Sequence, residues 1–208
     1  LVMVELNRKY EIGERRFSSV NWIGFWTLYK KEVLRFLVVW IQTLFSPLMT
    51  SLLFLLVLSL AIGSDRGNVL GVNFIIFLAP GLISMQVIQQ AFSHSSSSLL
   101  IGKIQGTIID TISAPLTAAE VTLATILAAC TRSIIIAVIS IIVFSLIIDL
   151  KITSFFHVAI FTLLGSFILG AMGFIAGLWA EKFDHMASVT NFLIVPLSFL
   201  SGTFYSIE

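Results

Sequence analysis

Charge is what this sequence has least of: Asp, Glu, Lys and Arg make up 11% of its 208 residues, where an ordinary soluble domain carries about 25%. Cysteine is nearly absent too. The one residue, Cys130, sits in an apolar run, which excludes a disulfide framework and a cysteine metal cluster. The usual chemistry-bearing motifs are missing. Gly102-Lys103 lacks both the earlier glycine and the following hydroxyl of a phosphate-binding loop. No Gly-x-Ser-x-Gly, His-Glu-x-x-His or paired aspartates within an apolar run occur either. If the protein uses ATP, another chain binds it. The first twenty residues hold no apolar core of signal-peptide length, so no cleavage is expected there.

What fills the chain instead is apolar. Hydrophobic residues are 58% of the total and the mean hydropathy is +1.04, the composition of an integral membrane protein. Spanning about 30 Å of hydrocarbon takes roughly 20 helical residues. Five runs are long enough: Phe36 to Ile62, Val72 to Phe92, Val121 to Ile148, Phe155 to Ala180 and Ala187 to Phe204. The expected fold is all-α and polytopic, one unit over residues 1–208 with no separable soluble domain.

Basic residues set the direction. Arg8, Lys9, Arg15, Arg16, Lys30, Lys31, Arg35, Lys103 and Lys182 fall on one side of these runs, Arg66 and Lys151 on the other. The N-terminus and the stretch Gly102 to Val121 are therefore expected in the cytoplasm, with short external connections at Gly63 to Gly71 and Asp149 to Ser154. Neither connection is large enough for a receptor domain. Leu1 to Val20 is a basic lead-in. From Asn21 to Phe36, Trp22, Phe25, Trp26, Tyr29, Val33 and Phe36 fall at helical spacing opposite Thr27, Lys30, Lys31 and Arg35. Trp, Tyr and Lys favour the headgroup zone, so this helix is expected to lie in the interface before the chain turns into the bilayer.

Gly102 to Val121 is the one sizeable polar interruption in the middle of the chain. Thr107 with Asp110 three residues on has the form of a capping box, which predicts a helix start. Pro115 disfavours the α conformation at Ala114 and should stop that helix after about two turns. Thr117 and Glu120 repeat the start signal. The prediction is a short helix over 103–116 with Ile108, Ile109 and Ile112 on one face, an elbow at Ala114-Pro115, and a second helix leading into the next span. Such a helix is a handle for another protein.

Polar residues inside the spans need partners. An arginine at the bilayer centre costs about 2.5 to 3.5 kcal/mol on insertion scales. Apolar neighbours in the Arg132 run return roughly 0.3 to 0.6 kcal/mol each, so the span still inserts. Two readings of Arg132 are open: it reaches inner headgroups or a neighbouring helix's carbonyls, or it lines a path for an anionic substrate. Gln86, Gln89, Gln90 and His94 share one side of the second run, which must meet protein or water, as packing glue or as pathway lining. His94 has no carboxylate companion in that run, and His157 and His185 sit in other loops, so a metal or catalytic role is not expected. Ser166, Gly170, Gly173, Gly177 and Ala180 form a small-residue stripe suited to close helix packing. Pro47, Pro80 and Pro196 each interrupt a span.

Four segments in order resemble the permease subunits of bacterial type-2 ABC exporters, which move drugs, polysaccharides or lipids. They are KEVLRFLVVWIQTLFSP, from Lys31 past Gln42 to Pro47; Ala79-Pro80-Gly81-Leu82; GTIIDTISAPLT; and FDHMASVTNFLIVPLSFLSGTFYS. The resemblance implies that Asn21 to Phe36 is a connecting helix and that the helix from Thr107 is a coupling helix docking on a nucleotide-binding subunit, with Gly106, Thr107, Asp110 and Pro115 matching its motif. Ile108-Ile109-Asp110 stands where relatives often carry leucine and glutamate, keeping a shorter acid. It further implies an inner-membrane exporter that is not itself catalytic. Two copies of a cytoplasmic ATPase would hold the ATP and magnesium, a second permease copy would complete the path, lipids would surround it, and no nucleic acid is involved. Gln42, Gln86, Gln90 and Arg132 are candidates for pathway or interhelix contacts. The family has six spans, with a re-entrant external segment before the last. The sequence ends where that segment begins, near Gly202 and Phe204-Tyr205, so a fragment or a truncated copy is expected. The rivals are an ion-driven secondary carrier, which would need mid-membrane acidic or histidine relays or an internal repeat, and a lipid-acting intramembrane enzyme, which would need a nucleophile or carboxylate pair at one depth.

Overall fold

A computed structural model describes residues 20–62, 68–69, 72–148, 150 and 154–200. The basic lead-in before Val20, most of the two short connections with Arg66 and Lys151, and the stretch containing Gly202, Phe204 and Tyr205 lie outside the described residues. The described chain is a helical bundle: α1 (Trp22–Val38), α2 (Ser46–Ile62), α3 (Phe74–Ile104), α4 (Ile108–Ser113), α5 (Ala118–Ile147), α6 (Phe155–Trp179), α7 (Phe183–Val189) and α8 (Val195–Leu200). Between α2 and α3 a two-residue antiparallel ladder pairs β1 (Asn68–Val69) with β2 (Val72–Asn73), Asn68 opposite Asn73.

Four helical segments among the described residues are long and apolar enough to cross a membrane: Ile41–Leu60, Phe74–Ile104, Ala118–Ile147 and Phe155–Trp179. The sequence predicted five. The fifth run is helical over 183–200 but is divided by a wide π turn, Thr190–Ile194, and residues 201–204 of the expected span are not described. The first span also starts later than predicted. Helix α1 continues to Val38, the chain turns at Val39, and a second π turn, Ile41–Phe45, leads into α2.

Both π turns end two residues before a proline, Pro47 and Pro196. Proline has no N–H to give the carbonyl four residues earlier and its ring crowds that carbonyl, so the backbone widens there. Pro80, by contrast, sits within the unbroken helix α3. That helix has 31 residues, running three turns past the predicted limit at Phe92 and carrying Ser95 to Ser98 inside it.

The centre of the bundle is α3, flanked by α6 and α5, with α1 lying against α5. Leu55 of α2, Phe74, Leu78, Leu82 and Val87 of α3, and Ala137 and Phe144 of α5 make one buried apolar cluster. Glycines bring α6 close to α3. A Cβ at Gly173 would lie 3.0 Å from the Phe92 Cα, and one at Gly177 2.9 Å from the Ser96 carbonyl oxygen, whereas at Gly170 the nearest atoms are 3.5 Å away, in side chains. The end of α6 is held by Lys103, whose Nζ donates to the carbonyls of Leu178 and, at 3.1 Å, Ala180.

The sequence divides α1 into two sides without saying which is inward, and the structure does. Trp22 and Trp26 are largely exposed, and the residues turned inward are Leu28, Glu32 and Phe36. An aromatic face made for the headgroup zone points away from protein, and the inward stripe contains an acid.

Candidate functional site

At the turn out of α3, Gly106 has φ 75, a left-handed conformation that only glycine adopts freely. The reversal leaves Thr107 already helical, at φ −71 and ψ −8, and its side chain caps nothing. The predicted capping box of Thr107 and Asp110 is therefore not formed, because a cap residue must be extended for its hydroxyl to reach forward. The helix start is set by the glycine turn instead, with the Ile109 N–H donating to the Gly106 carbonyl at 3.3 Å. Ala114 is extended (ψ 146) before Pro115, which stops α4 after six residues. The second box does form. Thr117 is extended, its Oγ1 accepts the Glu120 N–H, and Glu120 Oε2 accepts the Thr117 N–H at 2.6 Å.

The three isoleucines of α4 do not share one face. Ile108 is half-buried toward Gly102. Ile109 and Ile112 are 66% and 75% exposed, and Ile104 at the end of α3 is 51% exposed. Together with the exposed Asp110, they leave an uncovered apolar ridge at this end of the bundle.

The same elbow holds the start of α1. Glu120 Oε1 accepts the Asn21 N–H at 2.6 Å, while Asn21 Nδ2 donates to the Pro115 carbonyl at 3.2 Å and Asn21 Oδ1 caps α1 through the Gly24 N–H at 3.0 Å. Asn21 and Glu120 are both buried. A Cβ at Gly24 would lie 2.7 Å from Leu116 Cδ2 and 2.8 Å from Asn21 Nδ2, so a side chain there would have to displace both. Farther along α1, the buried Glu32 accepts from Ser98 Oγ at 2.7 Å and pairs with Arg35 at 3.0 Å. Arg35 also donates to the His94 carbonyl at 3.3 Å, and the Tyr29 hydroxyl meets Thr131 Oγ1 of α5 at 2.8 Å. Sequence reasoning missed Asn21, Glu32 and the second role of Glu120. The available signal for Glu32 was its position in the stripe Leu28, Glu32, Phe36, with Arg35 three residues on.

Inside the bundle, a cleft of about 680 Å³ opens between the α1–α2 bend, α3 and α5. It brings together Gln42, Gln86, Gln90 and Arg132, from three separate stretches of the chain. Arg132 is 8% exposed; its Nη2 donates to Gln90 Oε1 and, at 3.5 Å, to the Thr43 carbonyl, the group that Pro47 cannot bond. His94 is fully buried beside the cleft. A larger cavity of about 890 Å³ between α3, α5 and α6 is apolar on most of its lining, with His157 and Ser154 bonded to each other at 2.8 Å on its wall. Among the described residues no group of histidines, cysteines and acids is placed to hold a metal ion.

Comparison with known proteins agrees with this architecture. The family model described as ABC-2 type transporter matches residues 23–208. The inner membrane transport permease YadH of Escherichia coli (strain K12) is 28% identical over 186 residues, covering 89% of this chain and 73% of that protein, and the YadH of Shigella flexneri aligns to the same extent. No solved structure matches the chain. A polytopic helical chain that the family model matches from the first turn of α1 onward belongs to the ABC-2 type transporter family, as the membrane subunit of an ABC transporter.

Proposed function

We propose that this chain is the permease of an inner-membrane exporter, driven by ATP hydrolysed on a separate cytoplasmic subunit that docks on α4. The relative YadH is named an inner membrane transport permease, and the excess of basic residues on one side of the spans favours a cytoplasmic N-terminus and a cytoplasmic α4. In this reading the chain binds no nucleotide. Two permease copies form the path and two ATPase subunits carry ATP and magnesium beneath them.

The observation that carries the reading is the exposed ridge of Ile109 and Ile112 on a short helix whose following elbow is tied to α1 through two hydrogen bonds from Asn21, one of them buried. Exposed apolar side chains at a polar end of a membrane protein favour a protein partner. When the ATPase pair closes, the pull on α4 passes through Pro115 and Glu120 to Asn21 and α1, and the spans move with it. The permease supplies differential affinity for substrate between two states; the chemistry stays on the partner. Gly106 sets the turn that presents α4, Pro115 ends it, and Thr107 and Asp110 flank the contact.

Replacing Ile109 and Ile112 together by aspartate tests this. Burying two isoleucines is worth about 3 to 5 kcal/mol, so ATPase association should weaken by at least about a hundredfold, and substrate-stimulated ATP turnover should fall to the unstimulated rate while membrane insertion is unchanged. Normal stimulated turnover in that double variant would sink the assignment.

A further inference from the structure

The cleft holding Arg132 has a surplus of positive charge and of hydrogen-bond donors that the chain does not itself use. Two guanidinium groups, Arg35 and Arg132, line it. Arg35 is neutralised by Glu32 at 3.0 Å. Among the described residues no carboxylate lies within 4.0 Å of Arg132, whose contacts are the neutral oxygens of Gln90 and Thr43. Its Nε is buried with no hydrogen-bond partner. A buried charge without a counter-charge costs several kcal/mol, and a buried donor left unpaired costs more. His94 on the same wall is fully buried, and neither ring nitrogen has a hydrogen-bond partner, although its Nε2 lies 3.8 Å from the Glu32 carboxylate.

We propose that this cleft binds an anionic oxygen group, a phosphate or carboxylate on the transported molecule, with Arg132 as its charge partner and the Gln86–Gln90 side of α3 orienting it. The inference rests on the permease reading and adds a substrate class to it. Guanidinium donors in a fixed fork suit these planar or tetrahedral oxyanions. Along α3 the cleft lining runs from Gln86 to Ile101, a rise of about 22 Å, and most of the residues it takes from this helix are polar. Phe36, Val39 and Pro47 line the facing side, which suits an anion carrying an apolar chain. The volume falls within the range of ligand sites, about 300 to 1,000 Å³.

The competing account gives Arg132 a structural task only, clamping the carbonyl that Pro47 frees. Binding to the full chain in uncharged detergent separates the two, using phosphatidylglycerol, inorganic phosphate, and phosphatidylcholine as the neutral control. Saturable binding of phosphatidylglycerol is expected, weakened about tenfold or more in Arg132→Gln and kept within about threefold in Arg132→Lys, which retains the charge. Gln86→Leu should weaken it by about threefold without touching the clamp. Phosphate binding with the same dependence on Arg132 identifies a soluble anion as the source and supports the assignment equally. If neither anion binds saturably to the unaltered chain, or if Arg132→Gln and Gln86→Leu both bind as it does, the proposal is overturned. The ATPase is absent from this measurement. A failure here thus leaves the coupling assignment standing, and a failure of the Ile109 and Ile112 test leaves the anion site standing.

Discussion

Glu120→Ala is the perturbation that most directly probes the joint between α1 and the α4 elbow. One carboxylate accepts two backbone N–H groups, those of Thr117 and Asn21, each at 2.6 Å, and it is 6% exposed. Removing a capping interaction costs about 0.5 to 2 kcal/mol. Leaving a second donor, the N–H of the buried Asn21, without its charged acceptor adds about 1 to 3 kcal/mol. The expected total is about 1.5 to 5 kcal/mol, a fall of roughly 3 to 20 °C in the unfolding midpoint of a chain this size, read by thiol-reactive or intrinsic fluorescence in detergent. Glu120→Gln keeps one acceptor oxygen and should lose about half as much. The functional readout is separate. With α1 released from the elbow, the ATPase should still bind while transport per ATP falls, because the ridge on α4 is untouched. An Glu120→Ala variant with unchanged midpoint and unchanged coupling would refute the view that this carboxylate links the two helices.

The long helices were legible because their signal is gross: apolar runs of twenty or more residues admit few other structures. The second box, Thr117 with Glu120, was legible for a local reason, since cap and acceptor are three residues apart and nothing distant competes. The same spelling at Thr107 misled, because Gly106 had already turned the chain and left the threonine in a helical conformation where its hydroxyl cannot reach forward. The inward face of α1 was not legible, also for a physical reason. In a membrane, aromatic residues are drawn to the lipid interface as strongly as to protein, so periodicity marks two faces and does not say which is inward. What settles it is Glu32, whose partners Ser98 and His94 are more than sixty residues away and cannot be found from spacing. The cleft residues Gln42, Gln86, Gln90 and Arg132 could be named individually as costly in lipid. Their meeting in one cavity depends on the bend at Val39 and the π turn before Pro47; the proline marked an interruption of the span but not the geometry it takes.

The remaining tests concern how α1 and α6 are fastened to α3. Gly173→Ala should destabilise the protein by about 1 to 3 kcal/mol, since the new methyl would meet the Phe92 backbone; Gly170→Ala, with only side chains at 3.5 Å, should be nearly neutral, and equal melting shifts for the two would contradict the close approach. Glu32 gives the sharper case. Its carboxylate is 7% exposed and its partner Arg35 31% exposed, so the ion pair alone is partly screened. The bond from Ser98 crosses from α3 to α1 and is more protected. Glu32→Gln should therefore cost about 1 to 3 kcal/mol. Adding Arg35→Gln should recover only a fraction of that loss, because the larger share belongs to the link with α3. A double-mutant cycle on melting free energies measures the split. Nearly complete recovery would mean that Glu32 serves only to neutralise Arg35. Weak recovery, together with reduced transport per ATP, would mark Glu32 as the point where movement of α1 is handed to α3 and so to the cleft beside it.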